Sequence, residues 1–261
     1  MITGFIAAVI VSVISYEIKL LSKSGAAAAV ILGFFIFGLG GLKWSVPLLT
    51  FFILSSLLSK FRKGKNEEVE NYFEKSDLRD YLQVLSNGGL AGILVIVYSF
   101  RPNELFYIMY LATLAVVCAD TWATEIGTIR KTATYNILDF KPIAQGTSGG
   151  ISMPGIFGAF LGSSIISLSG LFWLNSNIVL TIFTVIITGV IGCMFDSVLG
   201  AAVQLQYRCV QCGKITEKKI HCGIPSSRIR GMKGINNDTV NFLSALFGIL
   251  FIVLIVNLVK L

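Results

Sequence analysis

Residues 104–128 read ELFYIMYLATLAVVCADTWATEIGT. The mostly apolar part, 104–124, matches the length of about 20 residues that an α-helix needs to cross a hydrocarbon core of about 30 Å. Its far end carries Asp120 and Glu125, where polar side chains interrupt the apolar run. The stretch therefore predicts a transmembrane helix with carboxylates at one end.

The whole chain has the composition of a membrane protein. Of its 261 residues, 54% are apolar and 13% are charged, whereas soluble domains carry about 25% charged residues. This composition excludes a disordered chain, a basic nucleic-acid-binding domain and an ordinary soluble enzyme. The 26 glycines suit close packing of helices in lipid.

Eight apolar segments are predicted to cross the membrane, which makes residues 1–261 a single, all-α integral membrane domain with functional loops. The first segment has no basic n-region and no small-residue cleavage site, so it is predicted to be a transmembrane helix rather than a signal peptide. The predicted segments are 2–21, 25–42, 44–60, 81–100, 104–124, 150–173, 177–204 and 239–260.

The distribution of Lys and Arg orients this predicted bundle. The loops after segments one, three, five and seven hold 18 of the 21 basic residues, and the other side holds Lys43, Arg101 and Lys260. Because short cytoplasmic loops accumulate positive charge, we expect both termini to lie outside. The net charge of +7 then reflects topology and anionic lipid or substrate rather than nucleic acid. The loops expected to be cytoplasmic are about 61–80, 125–149 and 205–238.

Carboxylates within the predicted helices are the strongest functional signal. Asp120, Glu125 and Asp196 interrupt apolar segments, where an ionised group is costly unless it is paired or faces a cavity. At about 100° per residue, the polar side chains of residues 120–128 fall within an arc of about 140°, and Ser197 shares a similar stripe with Asp196. Oxygen ligands of this kind suit Mg²⁺, which the three acids are predicted to hold. Hydrogen bonding between helices without a metal is the alternative.

A glycine- and hydroxyl-rich stretch enters the sixth segment. Residues 141–152 read KPIAQGTSGGIS, and backbone N–H groups in such a run can hold phosphate together with the start of the next helix. The stretch is not a Walker A motif, which needs Gly-Lys followed directly by Ser or Thr, and a flexible helix-capping turn is the alternative. The residues predicted to bind nucleotide phosphates are Lys141, Gly146, Thr147, Ser148, Gly149, Gly150 and Ser152.

The last long loop holds four of the six Cys and His residues in the chain, Cys209, Cys212, His221 and Cys222. These are the ligand types of a closed structural zinc site. Two ligands that are adjacent in sequence, such as His221 and Cys222, are geometrically unfavourable for one ion. Reduced thiols in a cytoplasmic hairpin are the alternative. With a single His in the chain, triad chemistry is not supported.

Taken in order, six motifs resemble those of the multi-pass membrane family that includes transmembrane protein 19 and the plant and cyanobacterial phytyl-phosphate kinases. The hydropathy and the Gly-Thr region are also similar, more distantly, to CTP-using polyprenol kinases and cytidylyltransferases. The motifs are QVLSNGG at 83–89, ADTWATEIG at 119–127, GTSGGIS at 146–152, DSVLGA at 196–201, the Cys/His loop at 208–223 and NNDTVN at 236–241.

The resemblance implies a kinase that transfers a phosphoryl group from a nucleoside triphosphate, with CTP as one candidate, to a prenyl monophosphate such as phytyl phosphate. Asp120, Glu125 and Asp196, with Asn87, would form the catalytic set around Mg²⁺, while the prenyl tail lies among membrane lipids. A lipid cytidylyltransferase and an ion or small-molecule transporter are the alternatives. The residues expected to orient the substrate are Gln83, Thr124, Ser197, Asn236, Asn237, Asp238 and Asn241.

Overall fold

The computed structural model describes residues 1–63, 65, 78–175 and 177–259. Eight α-helices make up most of these described residues, one at each predicted apolar segment. The all-α membrane bundle is confirmed. The helices are α1 (Ile2–Glu17), α2 (Lys23–Phe35), α3 (Leu42–Lys63), α4 (Tyr81–Phe100), α5 (Glu104–Gly127), α6 (Met153–Ser169), α7 (Ile178–Ala202) and α8 (Asn237–Val259).

Within the described ranges, six helices are long and apolar enough to cross a membrane, counting the π-helical turn Ile36–Gly40 that extends α2. The exceptions are α1 and α6, with 16 and 17 residues. The eight-span count and the orientation stay predictions. Most of the predicted 61–80 loop, including Lys75, lies outside the described residues, as does Lys260.

The predicted segments 2–21 and 150–173 extend several residues beyond their helices. α1 stops before residue 21 because Lys19 adopts a left-handed φ of 58°. α6 starts after residue 150 because Ser152 caps its first turn, with its Oγ accepting the Gly155 N–H at 3.2 Å. The end of the predicted 150–173 segment is a short 3-10 helix, Leu171–Trp173.

Helix α5 forms the centre of the bundle, where it packs against α3, α4, α6, α7 and α8. Every residue from Tyr110 to Ala119 is buried. A helix that is apolar on all sides needs such surroundings. Because α5 is held from all sides, the position of Asp120 at its end is set by the helices around it.

Small residues allow α6 to lie directly against α5. A Cβ added at Gly158 would come within 2.4 Å of the Trp122 carbonyl oxygen, and one at Gly162 within 2.7 Å of the Cys118 carbonyl oxygen. The expected use of glycine for close helix packing in lipid is therefore found at this interface.

The loops carry short antiparallel strands that hydropathy does not reveal. β1 pairs with β2, β3 lies between β4 and β7, and β5 pairs with β6 in a hairpin. The first pair ties the loop after α5 to the start of α6. The strands are β1 (Tyr135–Asn136), β2 (Gly150–Ile151), β3 (Gln206–Arg208), β4 (Ile215–Thr216), β5 (Ile220–His221), β6 (Ile224–Pro225) and β7 (Ser227–Arg230).

Candidate functional site

A cavity opens at the end of the bundle where α5 and α7 finish and α6 and α8 begin. It measures about 780 Å³ including the open space at its mouth, and we call it the polar cavity. Asp120 and Asp196 both line it, together with Glu217 and the glycine loop, residues 146–150. No Lys or Arg among the described residues lines this cavity. Two of the three predicted acids are thus brought together beside the predicted phosphate loop.

Asp196 is buried and held by side chains of α8. Ser244 Oγ donates to Asp196 Oδ2 at 3.0 Å. When the Asn241 side chain is oriented with its amide nitrogen toward α7, that nitrogen donates to the same oxygen at 3.3 Å. In this orientation the Asn241 amide oxygen accepts from the Asn87 amide at 3.1 Å. The amide bridge, Asn87–Asn241–Asp196, therefore links α4, α8 and α7.

The glycine loop packs tightly on the end of α7. Gly146 and Gly149 have φ of 83° and 82°, in the left-handed region. A Cβ on Gly149 would lie 2.5 Å from that of Ala201, so glycine is required there for space as well as conformation. Thr147 also lines the polar cavity, and its Oγ1 is buried without a hydrogen-bond partner in the described part of the chain.

Glu217, between β4 and β5, is a cavity residue that the sequence pattern does not reveal. Its Oε1 accepts hydrogen bonds from Ser148 Oγ at 2.6 Å and from Gln204 Nε2 at 2.7 Å. The carboxylate therefore joins the glycine loop to the end of α7. In sequence, Glu217 lies in a polar, charged loop, where a carboxylate is ordinary.

Glu125 lies outside the polar cavity. Its Oε2 forms a buried ion pair with Nε of Arg62 on α3, and Ser59 Oγ donates to Oε1 at 2.6 Å. The expectation that Glu125 shares a magnesium site with Asp120 and Asp196 is therefore corrected. The physical reason is helical geometry, because Glu125 lies about 140° around α5 from Asp120 and points to α3 instead.

Lys141 also lies away from the polar cavity. Its Nζ pairs with Asp139 Oδ2 at 3.1 Å, and its side chain is 78% exposed. Hydrogen bonds from Lys141 lower the pKa of the Asp139 carboxyl. The predicted role of Lys141 in binding phosphate is corrected, because the turn closed by the Asn136 N–H and the Lys141 carbonyl oxygen at 2.9 Å leaves the side chain in solvent.

Several predicted residues do line the polar cavity, in addition to the aspartates and the glycine loop. Ser152 does so while capping α6. The others are Thr124, Ser197 and Asn237. These side chains surround the space with hydroxyl and amide groups.

Three residues expected to orient substrate lie at helix starts. Gln83 forms a reciprocal capping box with Asp80 before α4. Asn236 caps α8, with its Oδ1 accepting the Thr239 N–H at 3.1 Å. Asp238 is buried in the first turn of α8, where a carboxylate suits the helix dipole. None of the three is among the described residues that line the polar cavity.

A second cavity, of about 620 Å³ including the open space at its mouth, lies between α1, α2, α3 and α4, and we call it the apolar cavity. Its lining is largely aliphatic and aromatic, with Arg79, Gln83 and Asn87 also lining it. The Arg79 guanidinium lies 5.3 and 5.4 Å from the ring centres of Phe51 and Phe52. Burial lowers the pKa of Arg79 to about 10, so this group stays charged at neutral pH.

The predicted zinc ligands converge in the last loop. Ligand atoms of Cys209, Cys212, His221 and Cys222 all lie within 4.8 Å of one another, and we call these four residues the Cys/His cluster. Hydrogen bonding, first from the backbone N–H of Cys212, lowers the pKa of the Cys209 thiol to about 6. The cluster is separate from the residues that line the polar cavity.

The polar cavity has a donor set that suits a divalent cation. Mg²⁺ takes one or two carboxylates and completes its shell with water and substrate phosphates. Asp120 and Asp196 are placed to act as such ligands, with Glu217 as a third carboxylate. The buried Thr147 hydroxyl and the glycine-loop backbone suit the phosphate oxygens.

Fold and site together define an integral membrane protein with an acidic cavity and a glycine loop at one end of its helical bundle. The chain belongs to the family described as integral membrane protein DUF92, whose model matches residues 6–249. The family membership expected from the six motifs is confirmed.

Relatives from plants and archaea cover most of the chain. Protein PGR of Arabidopsis thaliana is 29% identical over 259 residues, covering 89% of this chain and 88% of the relative. Uncharacterized membrane protein MJ0933 of Methanocaldococcus jannaschii is 28% identical over 200 residues, covering 76% and 82%. Protein VTE6, chloroplastic, of Arabidopsis thaliana is 23% identical over 234 residues, covering 87% and 63%. No solved structure matches the chain.

Proposed function

We propose that this protein is a membrane kinase that transfers a phosphoryl group from a nucleoside triphosphate to a prenyl monophosphate such as phytyl phosphate, giving the diphosphate. The observation that carries the proposal is the polar cavity, where Asp120, Asp196 and Glu217 meet the glycine loop. The resemblance of the motifs to the phytyl-phosphate kinase family supports the same reaction. CTP is one candidate donor.

The nucleotide phosphates are proposed to bind in the polar cavity. The glycine loop would hold them through its backbone N–H groups and the Thr147 hydroxyl. Asp120 and Asp196 would hold Mg²⁺, which supplies positive charge to the phosphate oxygens when bound. No described Lys or Arg lines this cavity. The proposed Mg²⁺ would therefore supply the positive charge without which the triphosphate and the carboxylates would repel one another.

The prenyl monophosphate is proposed to bind with its tail in the apolar cavity. Each buried CH₂ group contributes about 0.8 kcal/mol, so the largely aliphatic and aromatic lining of this cavity suits a branched hydrocarbon chain. Arg79, which lines the cavity, supplies a cation for the phosphate head. The amide bridge connects this cavity through Asn87 to Asp196 in the polar cavity, so the two substrates would meet along it.

The reaction makes few covalent demands on the protein. A phosphate oxygen of the acceptor attacks the γ-phosphorus, and the bond between the γ-phosphorus and the bridging oxygen breaks to release a nucleoside diphosphate. The second pKa of a phosphate monoester is about 6, so the acceptor is already an ionised nucleophile at neutral pH. No strong general base is needed, in keeping with a chain whose single His belongs to the Cys/His cluster.

The test is a product assay on the purified protein in lipid nanodiscs. It combines Mg²⁺, each of four nucleoside triphosphates and prenyl monophosphates of several lengths, with detection of prenyl diphosphate and nucleoside diphosphate by mass spectrometry. Asp120→Asn and Asp196→Asn should each lower the rate about 100-fold or more, the scale of losing one electrostatic contact to the transition state. Asp139→Asn is the matched control, because this carboxylate lies outside the polar cavity.

The same assay separates the alternative functions. Release of pyrophosphate with formation of a nucleotidyl lipid would identify a cytidylyltransferase that uses the same cavity. Solute flux into proteoliposomes that depends on Asp120 and needs no nucleotide would identify a transporter. Absence of prenyl diphosphate with every donor would refute the kinase.

A further inference from the structure

The Cys/His cluster lies in two turns that the fold brings together. The first turn follows β3, where the Gly213 N–H donates to the Cys209 carbonyl oxygen and the Cys209 N–H donates to the Lys214 carbonyl oxygen, both at 2.9 Å. This hairpin presents Cys209 and Cys212. The second turn joins β5 to β6 and presents His221 and Cys222.

We propose that Cys209, Cys212, His221 and Cys222 bind one structural Zn²⁺ ion. Zinc in tetrahedral Cys/His sites has Zn–S distances of about 2.3 Å and Zn–N distances of about 2.0 Å, which place S and N ligand atoms about 3.5 Å apart. The Cys212 Sγ to His221 Nδ1 distance is 3.5 Å. The Cys222 Sγ to His221 Nδ1 distance is 3.1 Å. All four ligand atoms lie within 4.8 Å of one another, which is compact enough for one ion.

The backbone explains how two adjacent residues can serve one ion. Cys222 and Gly223 have φ of 54° and 76°, so both lie in the left-handed region. Two-residue hairpin turns of this kind favour Asn-Gly, and a Cys is unfavourable in the first position. Here the left-handed turn brings the Cys222 thiol to the same side as the His221 ring. The unfavourable conformation is accounted for if the thiol is a ligand.

A zinc ion at this place would have a structural consequence for the polar cavity. Glu217 lies between the two ligand pairs, and its carboxylate accepts hydrogen bonds from Ser148 and Gln204. Closing the loop at Cys212 and His221 would restrict where Glu217 can lie. The ion would therefore act as a clamp that holds Glu217 against the glycine loop.

Metal content is the first test, and it does not depend on the proposed kinase activity. Protein purified without a polyhistidine tag should contain about one zinc per chain, measured by plasma mass spectrometry. Cys212→Ser and Cys222→Ser should reduce the zinc content at least tenfold. Gln211→Ser is the matched control, because Gln211 lies in the same turn without being a ligand, and it should keep its zinc.

A spectroscopic test on the unaltered protein covers the case in which the serine variants fail to fold. Exchange with Co²⁺ should produce the intense visible absorption of tetrahedral thiolate coordination, and His221→Cys should keep the metal with a shifted spectrum. Wild-type protein with neither zinc nor this absorption, or with Cys209 and Cys212 joined in a disulfide, would overturn the proposal.

Limited proteolysis tests the clamp itself. Lys214, Lys218 and Lys219 lie between the ligand pairs, so trypsin should cut there at least tenfold faster after zinc is removed with a chelator. Equal cleavage rates in a zinc-containing protein would overturn the clamp. A kinase assay before and after zinc removal, with Mg²⁺ restored in both samples, rests on the proposed function, and failure of that function would leave the zinc content and the cleavage rates unchanged.

Discussion

At the scale of single residues, carboxylates in this protein differ in role because their partners differ. Glu125 is buried and paired with Arg62, so it connects α5 to α3. Asp196 accepts hydrogen bonds from uncharged groups and lines the polar cavity. A carboxylate already neutralised by a guanidinium is committed to that ion pair, whereas one surrounded by hydroxyl and amide groups can bind a cation.

Glu125→Gln should therefore destabilise the protein without abolishing the proposed phosphoryl transfer. Removing one member of a buried ion pair leaves the other charge uncompensated and costs about 3 to 5 kcal/mol. The expected result is a markedly lower midpoint of thermal unfolding, measured in nanodiscs, with kinase activity retained by the folded fraction. The double variant Arg62→Met with Glu125→Met is the control and should recover much of the loss. A stable but inactive Glu125→Gln protein would contradict the assignment.

At the scale of elements, the docking of the glycine loop on α7 positions the candidate phosphate site. Gly149 contacts Ala201 so closely that no side chain fits between them. Glu217 reinforces the contact by bonding to Ser148 in the loop and to Gln204 just beyond α7. The loop is thus held from two sides.

Gly149→Ala should displace the glycine loop. Its φ of 82° disfavours alanine, and the new Cβ would lie 2.5 Å from that of Ala201. Gly234→Ala is a matched control, since Gly234 also has a left-handed φ, 90°, but would meet nothing within 4 Å. We expect Gly149→Ala to cost about 1 to 3 kcal/mol beyond the control and to weaken nucleotide binding, measured by calorimetry. Equal effects of the two variants would exclude the steric explanation.

At the scale of the whole molecule, the structure has one cavity with a polar lining and another with a largely apolar lining. The apolar cavity lies among α1 to α4, and the polar cavity lies where α5 to α8 meet the loops. The amide bridge, through Asn87 and Asn241, is one of the contacts between these two halves. This arrangement suits a reaction between a lipid phosphate and a water-soluble nucleotide.

Ala29→Phe should change the preference for prenyl chain length. Ala29 lines the apolar cavity, so the larger ring would occupy space proposed for the tail. Excluding two CH₂ groups costs about 1.6 kcal/mol, and we expect KM to rise about tenfold or more for long prenyl phosphates but little for short ones. Ala27→Phe, at an exposed position of the same helix, should leave KM unchanged. A uniform change across chain lengths would argue against this binding site.

Orientation in the membrane can be tested with engineered cysteines. Arg101 and Lys131 are exposed and lie in loops predicted to be on opposite sides. In intact cells, a membrane-impermeant maleimide should label Arg101→Cys, while Lys131→Cys should react above the wild-type background only after permeabilisation, because the positive-inside rule places its loop in the cytoplasm. The reverse labelling would invert the bundle and place the polar cavity outside.

Much of the fold and part of the site could be predicted from sequence. Helix positions follow from apolar runs of spanning length, and the pairing of Asp120 with Asp196 beside the glycine loop follows from their position at the same end of the predicted bundle. Glu217 could not be predicted, since it reaches the cavity from a loop whose strands are too short to show a pattern. The prediction for Glu125 is wrong because the wide polar arc on α5 does not show which of its residues face another helix.

The sequence by itself determined that this chain is a membrane bundle with acids, a glycine loop and thiols gathered in its loops and helix ends, because hydropathy and charge act locally along the chain. Only the tertiary structure decided which side chains share a space. It paired Glu125 with Arg62, left Lys141 in solvent and brought Glu217 to the glycine loop. Such contacts join residues far apart in the chain, so they depend on how the helices pack and not on the order of the residues.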